Sequence, residues 1–189
     1  MAVPLVKQAH NKVASYLIEG DRVVDATMGN GFDTLFLAGG VGERGKVYSF
    51  DLQVAALTKT KERLKEAHLL DRVRLIQDSH DRLSAYLAED GVRSIRCAMF
   101  NLGYLPGGDK TVKTGSESTI KALDSVVAQI EERGIISILA YTGHAGGREE
   151  ADAVRKWALE LPRTAFRVTI EIPEAAKNSP PELILVETV

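Results

Sequence analysis

The segment Val23-Val-Asp-Ala-Thr-Met-Gly-Asn-Gly-Phe-Asp-Thr34, followed by an apolar run closing on Asp51, constrains this chain more than any other feature. A β-branched run ends in an acid, two glycines one residue apart supply a tight turn, and a helical pattern follows. Glycine reaches positive φ at little cost, so such a turn lets backbone N–H groups approach a nucleotide-like ligand closely. Asp51 stands 20 residues after Gly31, where a carboxylate at the end of a second strand can hold both hydroxyls of a ribose. The pattern is that of a nucleoside-cofactor fold.

Two cofactors compete for it. The dinucleotide fingerprint is G-x-G-x-x-G, with a third glycine for close helix–strand packing. Gly29-Asn30-Gly31-Phe32-Asp33-Thr34 has threonine at that place, and Asp25 would repel a diphosphate. S-adenosylmethionine carries an ammonium and a sulfonium and no phosphate, so an acid there favours it. The combination of Asp25, Gly29, Gly31 and Asp51 points to S-adenosylmethionine; the plain alternative is a glycine turn in an ordinary α/β domain.

The 189 residues are read as one domain, 1–189, long enough for a substantial core. A hydrophobic content of 44% and a charged content of 26% are ordinary for a globular protein. Apolar runs are too short to span a bilayer and no signal-peptide pattern opens the chain, so no membrane partner is expected. Cys97 is the single cysteine, which excludes an internal disulfide and fits a cytoplasmic protein. The net charge of −2 argues against coating nucleic acid by bulk electrostatics, but leaves room for a local basic patch on a folded RNA.

Apolar runs and helical patterns alternate along the chain, which predicts a parallel α/β sheet. Leu5, Val13 and Leu17 mark a leading helix. Strands are expected at 22–26, 46–50, 73–77, 97–101 and 134–141. Helices are expected around Thr34–Leu37, over 54–67 with Leu57 and Leu64 buried, and over 83–88. Thr114-Gly-Ser-Glu117 reads as a capping box, opening a helix whose core stripe is Ile120, Leu123, Val127 and Ile130. A further helix packs Val154, Trp157, Ala158 and Leu161 inward. Strands at 167–172 and 183–189 then follow one another directly, predicting an antiparallel hairpin at the sheet edge. The expected fold is therefore a Rossmann-like class I methyltransferase, a mostly parallel seven-stranded sheet with a C-terminal antiparallel hairpin.

Ligands bind such sheets beyond the carboxyl ends of the strands. Asp25, Thr27, Gly29, Asn30, Gly31 and Asp33 follow strand one, and Asp51 and Gln53 follow strand two. Asp78, Ser79 and His80 follow strand three; all eleven are candidate cofactor contacts. Asp78 suits either the adenine amino group or a helix N-cap. Asp33 suits either a ligand or the helix dipole. After strand four, Asn101-Leu-Gly-Tyr104 resembles the Asn-Pro-Pro-Tyr pattern of amine-modifying methyltransferases, with Gly103 replacing the prolines as the turn. An Asn carboxamide oxygen and a neighbouring backbone carbonyl can accept two amine protons and aim the lone pair, while a tyrosine face stacks on a base. The competing reading is a glycine-rich surface turn. Tyr141 and His144, in Tyr141-Thr-Gly-His-Ala-Gly-Gly147, border the same cleft; His144 is either a proton acceptor or an ordinary loop histidine. His10 lies on the leading helix, whose end either folds over the cofactor pocket or, the favoured reading, leaves it a surface histidine; Trp157 reads as core. Lys110 and Lys113 are either phosphate contacts or solvated lysines. No residue spacing marks a metal site.

Asp25-Ala-Thr-Met-Gly-Asn-Gly-Phe-Asp-Thr34, Asn101-Leu-Gly-Tyr-Leu-Pro-Gly-Gly-Asp-Lys110 and Tyr141-Thr-Gly-His-Ala-Gly-Gly147 together resemble the YtqB/MnmM family of small bacterial methyltransferases. The resemblance covers nearly the whole chain. It implies that S-adenosylmethionine methylates the amine of 5-aminomethyl-2-thiouridine at the tRNA wobble position, giving 5-methylaminomethyl-2-thiouridine. It also implies a tRNA anticodon arm as partner and a homodimer. In that reading Asn101 and Tyr104 hold the acceptor, with Tyr141 and His144 beside them, and Lys110, Lys113, Arg148 and Lys177 meet phosphates. Two alternatives stay open: a methyltransferase for another RNA or a small amine, and a non-enzymatic binding domain that keeps the fold.

Overall fold

Successive strand side chains point to opposite faces of a sheet, and the strands of this chain are apolar at both parities. Val23 and Val24, Val47 and Tyr48, Cys97 and Ala98, and Ile135 and Ile136 are all buried. Strands of that kind need cover on both sides. The computed structural model, which describes residues 3–109, 111–173 and 180–189, supplies it.

The elements run α1 (Leu5–Ala14), β1 (Arg22–Asp25), α2 (Phe32–Gly40), β2 (Lys46–Asp51), α3 (Val54–Glu66), β3 (Val73–Gln77), α4 (Leu83–Glu89), β4 (Ile95–Leu102), α5 (Ser116–Val127), β5 (Ile130–Ala140), α6 (Gly147–Glu160), β6 (Phe166–Glu171) and β7 (Glu182–Thr188). On one face Val23, Val47, Cys97 and Ile135 pack under Val13 of α1, Leu37 of α2 and Leu64 of α3. On the other, Val24, Tyr48, Ala98 and Ile136 pack under Leu87 of α4, Leu123 of α5 and Val154 of α6. A fully buried aliphatic side chain contributes about 1.5–3 kcal/mol, whereas an exposed ion pair contributes about 1 kcal/mol or less. The two apolar layers therefore hold the sheet.

The strand order is β3-β2-β1-β4-β5-β7-β6. All neighbours are parallel except β7, which runs antiparallel to both β5 and β6. The expected seven-stranded sheet with an antiparallel C-terminal hairpin is thus the observed one. The order reverses between β1 and β4, which opens a crevice at their carboxyl ends. Both glycine-bearing loops, after β1 and after β4, end there.

Several local expectations are corrected. No capping box forms at α5: Gly115 is the N-cap and makes no side-chain cap bond. The Thr114 hydroxyl is taken up elsewhere, accepting the Gly103 N–H at 2.9 Å and donating to Glu150 at 2.6 Å. The buried face of α5 is Thr119, Ala122, Leu123 and Val126. Ile120 and Val127 are half-buried, and Ile130 opens β5. The face is turned because Thr119 donates to the buried Glu150 at 2.7 Å, so a polar residue occupies a core position. On α3, Ala56, Thr60 and Leu64 are buried while Leu57 is half-buried. β5 begins at Ile130 rather than Gly134, with an irregularity in its pairing with β4 between Ile95 and Cys97.

Candidate active site

The end of β1 builds the floor. Asp25 is fully buried; its carboxylate accepts the Thr34 hydroxyl at 2.5 Å and the Thr27 N–H at 3.1 Å. It ties the strand end to the first turn of α2 and does not line the cavity above. Burial, then the neighbouring Asp33 and Asp51 carboxylates, raise its pKa. The expected direct contact of Asp25 with a ligand is therefore replaced by a scaffold role. Gly31 is also outside the lining. It stands at φ +80° as the N-cap of α2, where a Cβ would come within 2.6 Å of the Thr60 hydroxyl. Its absent side chain serves the approach of α3, not of a ligand.

Gly29 does face the cavity, and its N–H donates to Asp51 at 3.0 Å. The other Asp51 oxygen accepts the Gln53 N–H at 2.8 Å. A carboxylate offers about four lone-pair sites, so each oxygen keeps capacity for another donor. Burial raises the Asp51 pKa against the opposing pull of these backbone bonds. Gln53 closes a clasp across the cavity: its amide oxygen accepts the Asp109 N–H at 3.0 Å, and its amide N–H reaches the Asp109 carbonyl at 3.4 Å. Asn30 likewise reaches the Pro106 carbonyl at 3.4 Å, and its buried amide oxygen has no partner among the described residues.

The enclosed space measures about 440 Å³, within the size range of small-molecule sites. Asp78, Ser79 and His80 form one wall. Asp78 accepts the Ser79 N–H at 2.8 Å and the Tyr86 hydroxyl at 2.8 Å, and pairs with the Arg82 guanidinium at 2.9 Å. The short turn 80–82 has Ser79 as its N-cap, so Asp78 does not cap it. His80 is buried against Phe100, and burial lowers its pKa, which favours the neutral ring. A neutral ring donating through Nδ1 to the Ala26 carbonyl at 3.1 Å has Nε2 as an acceptor, and that atom is buried without a partner among the described residues.

The opposite end of the cavity is built by β4 and β5. The Asn101 N–H donates to Thr27 Oγ1 at 2.6 Å, so Thr27, itself in the lining, fixes the backbone of the acceptor loop. The Asn101 carboxamide donates to Asp33 at 2.5 Å, and Asp33 is bonded at 2.6 Å by His10 from α1. The carbonyls next to Asn101 each accept one backbone N–H, Leu102 from Tyr141 at 3.1 Å and Gly103 from Thr114 at 2.9 Å, and each keeps a second lone pair beside the Asn101 carboxamide, which lines the cavity. Tyr104 and Tyr141 line the rim and are 40% and 41% exposed, enough for a ring face to meet a ligand arriving from solvent. His144 stands behind, edge-on to Tyr104 at 5.8 Å and outside the lining. It supports Tyr104 rather than bordering the cleft.

Lys113 donates to the Ala145 carbonyl at 2.5 Å, joining the loops after β4 and β5. Arg148 is exposed in the first turn of α6. Lys110 and Lys177 lie outside the described residues. Trp157 is partly buried against the core, with its indole N–H on Asp124 at 2.8 Å. Sequence reasoning missed Val6 and Phe32, which line the mouth, and favoured the surface over the pocket for His10, which the fold brings to Asp33. An exposed phenylalanine directly after a glycine loop was the available signal for Phe32. Among the described residues no group of three or more His, Cys, Asp or Glu could hold a metal ion.

The cavity is thus lined by carboxylates and an amide on an apolar ground: Asp33, Asp51, Asp78 and Asn101. Such a site suits a ligand rich in donors and positive charge. A family model described as "Putative rRNA methylase" matches residues 47–187. The chain belongs to that family. It is 36% identical over 162 residues to a tRNA (mnm(5)s(2)U34)-methyltransferase of Arabidopsis thaliana, described as chloroplastic; the match covers 82% of this chain and 58% of that protein. The chain therefore spans little more than half the length of this curated relative. A crystal structure of a putative rRNA-methylase from Clostridium thermocellum is 37% identical with a TM-score of 0.94, each chain covered in full. A putative methyltransferase from Streptococcus mutans, solved in complex with SAH, is 35% identical with a TM-score of 0.89, again over both full chains. The fold is that of the class I S-adenosylmethionine-dependent methyltransferases. Among the described residues no helix is long and apolar enough to cross a membrane.

Proposed function

We propose that this protein transfers the methyl group of S-adenosylmethionine to the primary amine of 5-aminomethyl-2-thiouridine at the wobble position of tRNA. The observation that carries the reading is Asn101, which lines the cavity while its amide N–H₂ is held by Asp33, a pairing that turns the carboxamide oxygen away from Asp33. The donor fits the cavity through Asp51, which retains lone pairs for ribose hydroxyls, and the Asp33, Asp51 and Asp78 carboxylates in the lining disfavour a diphosphate.

S-adenosylmethionine, when bound, supplies an electrophilic methyl on a sulfonium. The remaining work belongs to the chain. Asp51 holds the ribose, Asp78 and His80 meet the adenine, and Asp33 contributes negative charge at the acceptor end. Asn101 accepts a proton of the incoming amine through Oδ1 and so orients its lone pair, a positioning effect of the kind that lowers barriers by several kcal/mol, about 7–11 in the best intramolecular cases. Tyr104 and Tyr141 stack on the base from the rim. An aminomethyl group enters mainly as an ammonium, and enclosure between two rings lowers its pKa by desolvation. The proton leaves before attack, the N–C bond forms as the S–C bond breaks, and the methylated ammonium later releases its extra proton.

Support for tRNA comes from the name of the Arabidopsis relative, while the family description speaks of rRNA. Labelled S-adenosylmethionine offered with tRNA carrying the aminomethyl nucleoside, with the same tRNA lacking that amine, and with ribosomal RNA separates them. Label is expected in the first alone; transfer to ribosomal RNA alone would replace this reading.

A further inference from the structure

The acceptor amide does not stand by itself. Its nitrogen donates to one Asp33 oxygen at 2.5 Å, and the other Asp33 oxygen takes His10 Nε2 at 2.6 Å. The His10 ring lies flat on Phe36, with centroids 4.1 Å apart and planes 4° from parallel. Three segments far apart in the chain, α1, the first turn of α2 and the end of β4, thus meet on one carboxylate that is 6% exposed. A charge so placed would ordinarily serve its own helix N-terminus, but both oxygens of Asp33 bond side chains from other elements.

The chemistry of the pair settles the rotamer of the amide. An ionised carboxylate only accepts hydrogen bonds, so the Asn101 group facing Asp33 must be N–H₂. The oxygen is then forced to the other side, toward the cavity, where no protein donor among the described residues claims it. Without Asp33 the amide could turn over and present N–H₂ to the substrate, a donor where an acceptor is needed. His10 holds Asp33 in turn, and Phe36 keeps the ring of His10 in plane. We propose that His10 and Asp33 are positioning residues that lock the Asn101 carboxamide with its oxygen toward the acceptor amine. The proposal rests on the amine-aligning reading of Asn101 given above.

A double-mutant cycle on the full chain tests it, with kcat and KM for aminomethyl-bearing tRNA and a separate titration of S-adenosylmethionine binding. Removing a hydrogen bond to a charged group should lower kcat at least about tenfold in Asp33→Ala and about threefold or more in His10→Ala. Donor affinity should stay within about threefold in His10→Ala, since His10 does not line the cavity. In the Asn101→Ala background both losses should shrink to about twofold or less, because nothing remains to be positioned. Melting curves accompany each variant; should Asp33→Ala fail to fold, His10→Ala, on the half-exposed outer side, carries the same cycle. Losses that multiply in the Asn101→Ala background, or a fall in donor affinity with kcat kept, would overturn the proposal. If Asn101→Ala leaves kcat unchanged, the amine-aligning reading itself fails, a result distinct from either.

Discussion

Replacing Asp51 with alanine should remove donor binding more than it removes the fold. The carboxylate accepts one backbone N–H on each oxygen, from Gly29 at 3.0 Å and Gln53 at 2.8 Å, and offers its remaining lone pairs to the ribose. A hydrogen bond to a charged group contributes about 1.5–3 kcal/mol, so losing two ribose contacts is worth about 3 kcal/mol or more. That corresponds to roughly a hundredfold rise in Kd. Release of the Gly29 N–H adds to it, because the glycine loop loses its clip to β2. Asp51→Asn should fare only slightly better, since its amide places one N–H₂ against a backbone N–H, donor against donor. Isothermal titration of S-adenosylmethionine or S-adenosylhomocysteine measures the effect, and thermal melts confirm the fold. An Asp51→Ala protein that binds the donor within about threefold of the parent would refute this placement of the ribose.

Two further outcomes follow from the loop after β1. Gly31→Ala must adopt φ +80° and set its Cβ 2.6 Å from the Thr60 hydroxyl; left-handed backbone costs about 1–2 kcal/mol and overpacking about 1–3 kcal/mol. Urea denaturation should register a loss of about 2–5 kcal/mol by these terms, and a loss well under 1 kcal/mol would show the helices free to move apart. Asp25→Asn should be more stable than the parent at high pH. Folding raises the Asp25 pKa from 3.8 to about 7, mainly by burial, so the folded state prefers the neutral acid. The parent therefore loses stability as pH rises across that window. Denaturation at about pH 4 and about pH 8 should show the advantage of Asp25→Asn growing with pH, and an advantage that shrinks would contradict the assignment.

The sheet, its two covering layers and the hairpin were legible because period and punctuation report on local structure. Strands apolar at both parities announce burial on both faces, and Gly29, Gly31 and Asp51 mark the crevice by their spacing. Contacts that close over long sequence distances were not legible in the same way. Thr114 reads as a cap residue until Glu150 is seen beneath it, and Glu150 also takes the Thr119 hydroxyl. Gly31 reads as a ligand contact until Thr60 arrives from α3, and Asp25 until its oxygens are found on Thr27 and Thr34. His10 has no pattern of its own; only the fold brings it to Asp33. Tertiary partners decide these cases, and a window of sequence does not contain them.

The central claim is that the methyl group goes to the wobble amine of tRNA. Nucleoside mass analysis of tRNA carrying 5-aminomethyl-2-thiouridine, after incubation with the protein and S-adenosylmethionine, tests it most directly. The account predicts a gain of one methyl on that nucleoside, giving 5-methylaminomethyl-2-thiouridine, with no other nucleoside changed. An unmodified wobble nucleoside in verified, folded tRNA, with the protein demonstrably binding the donor, would contradict it.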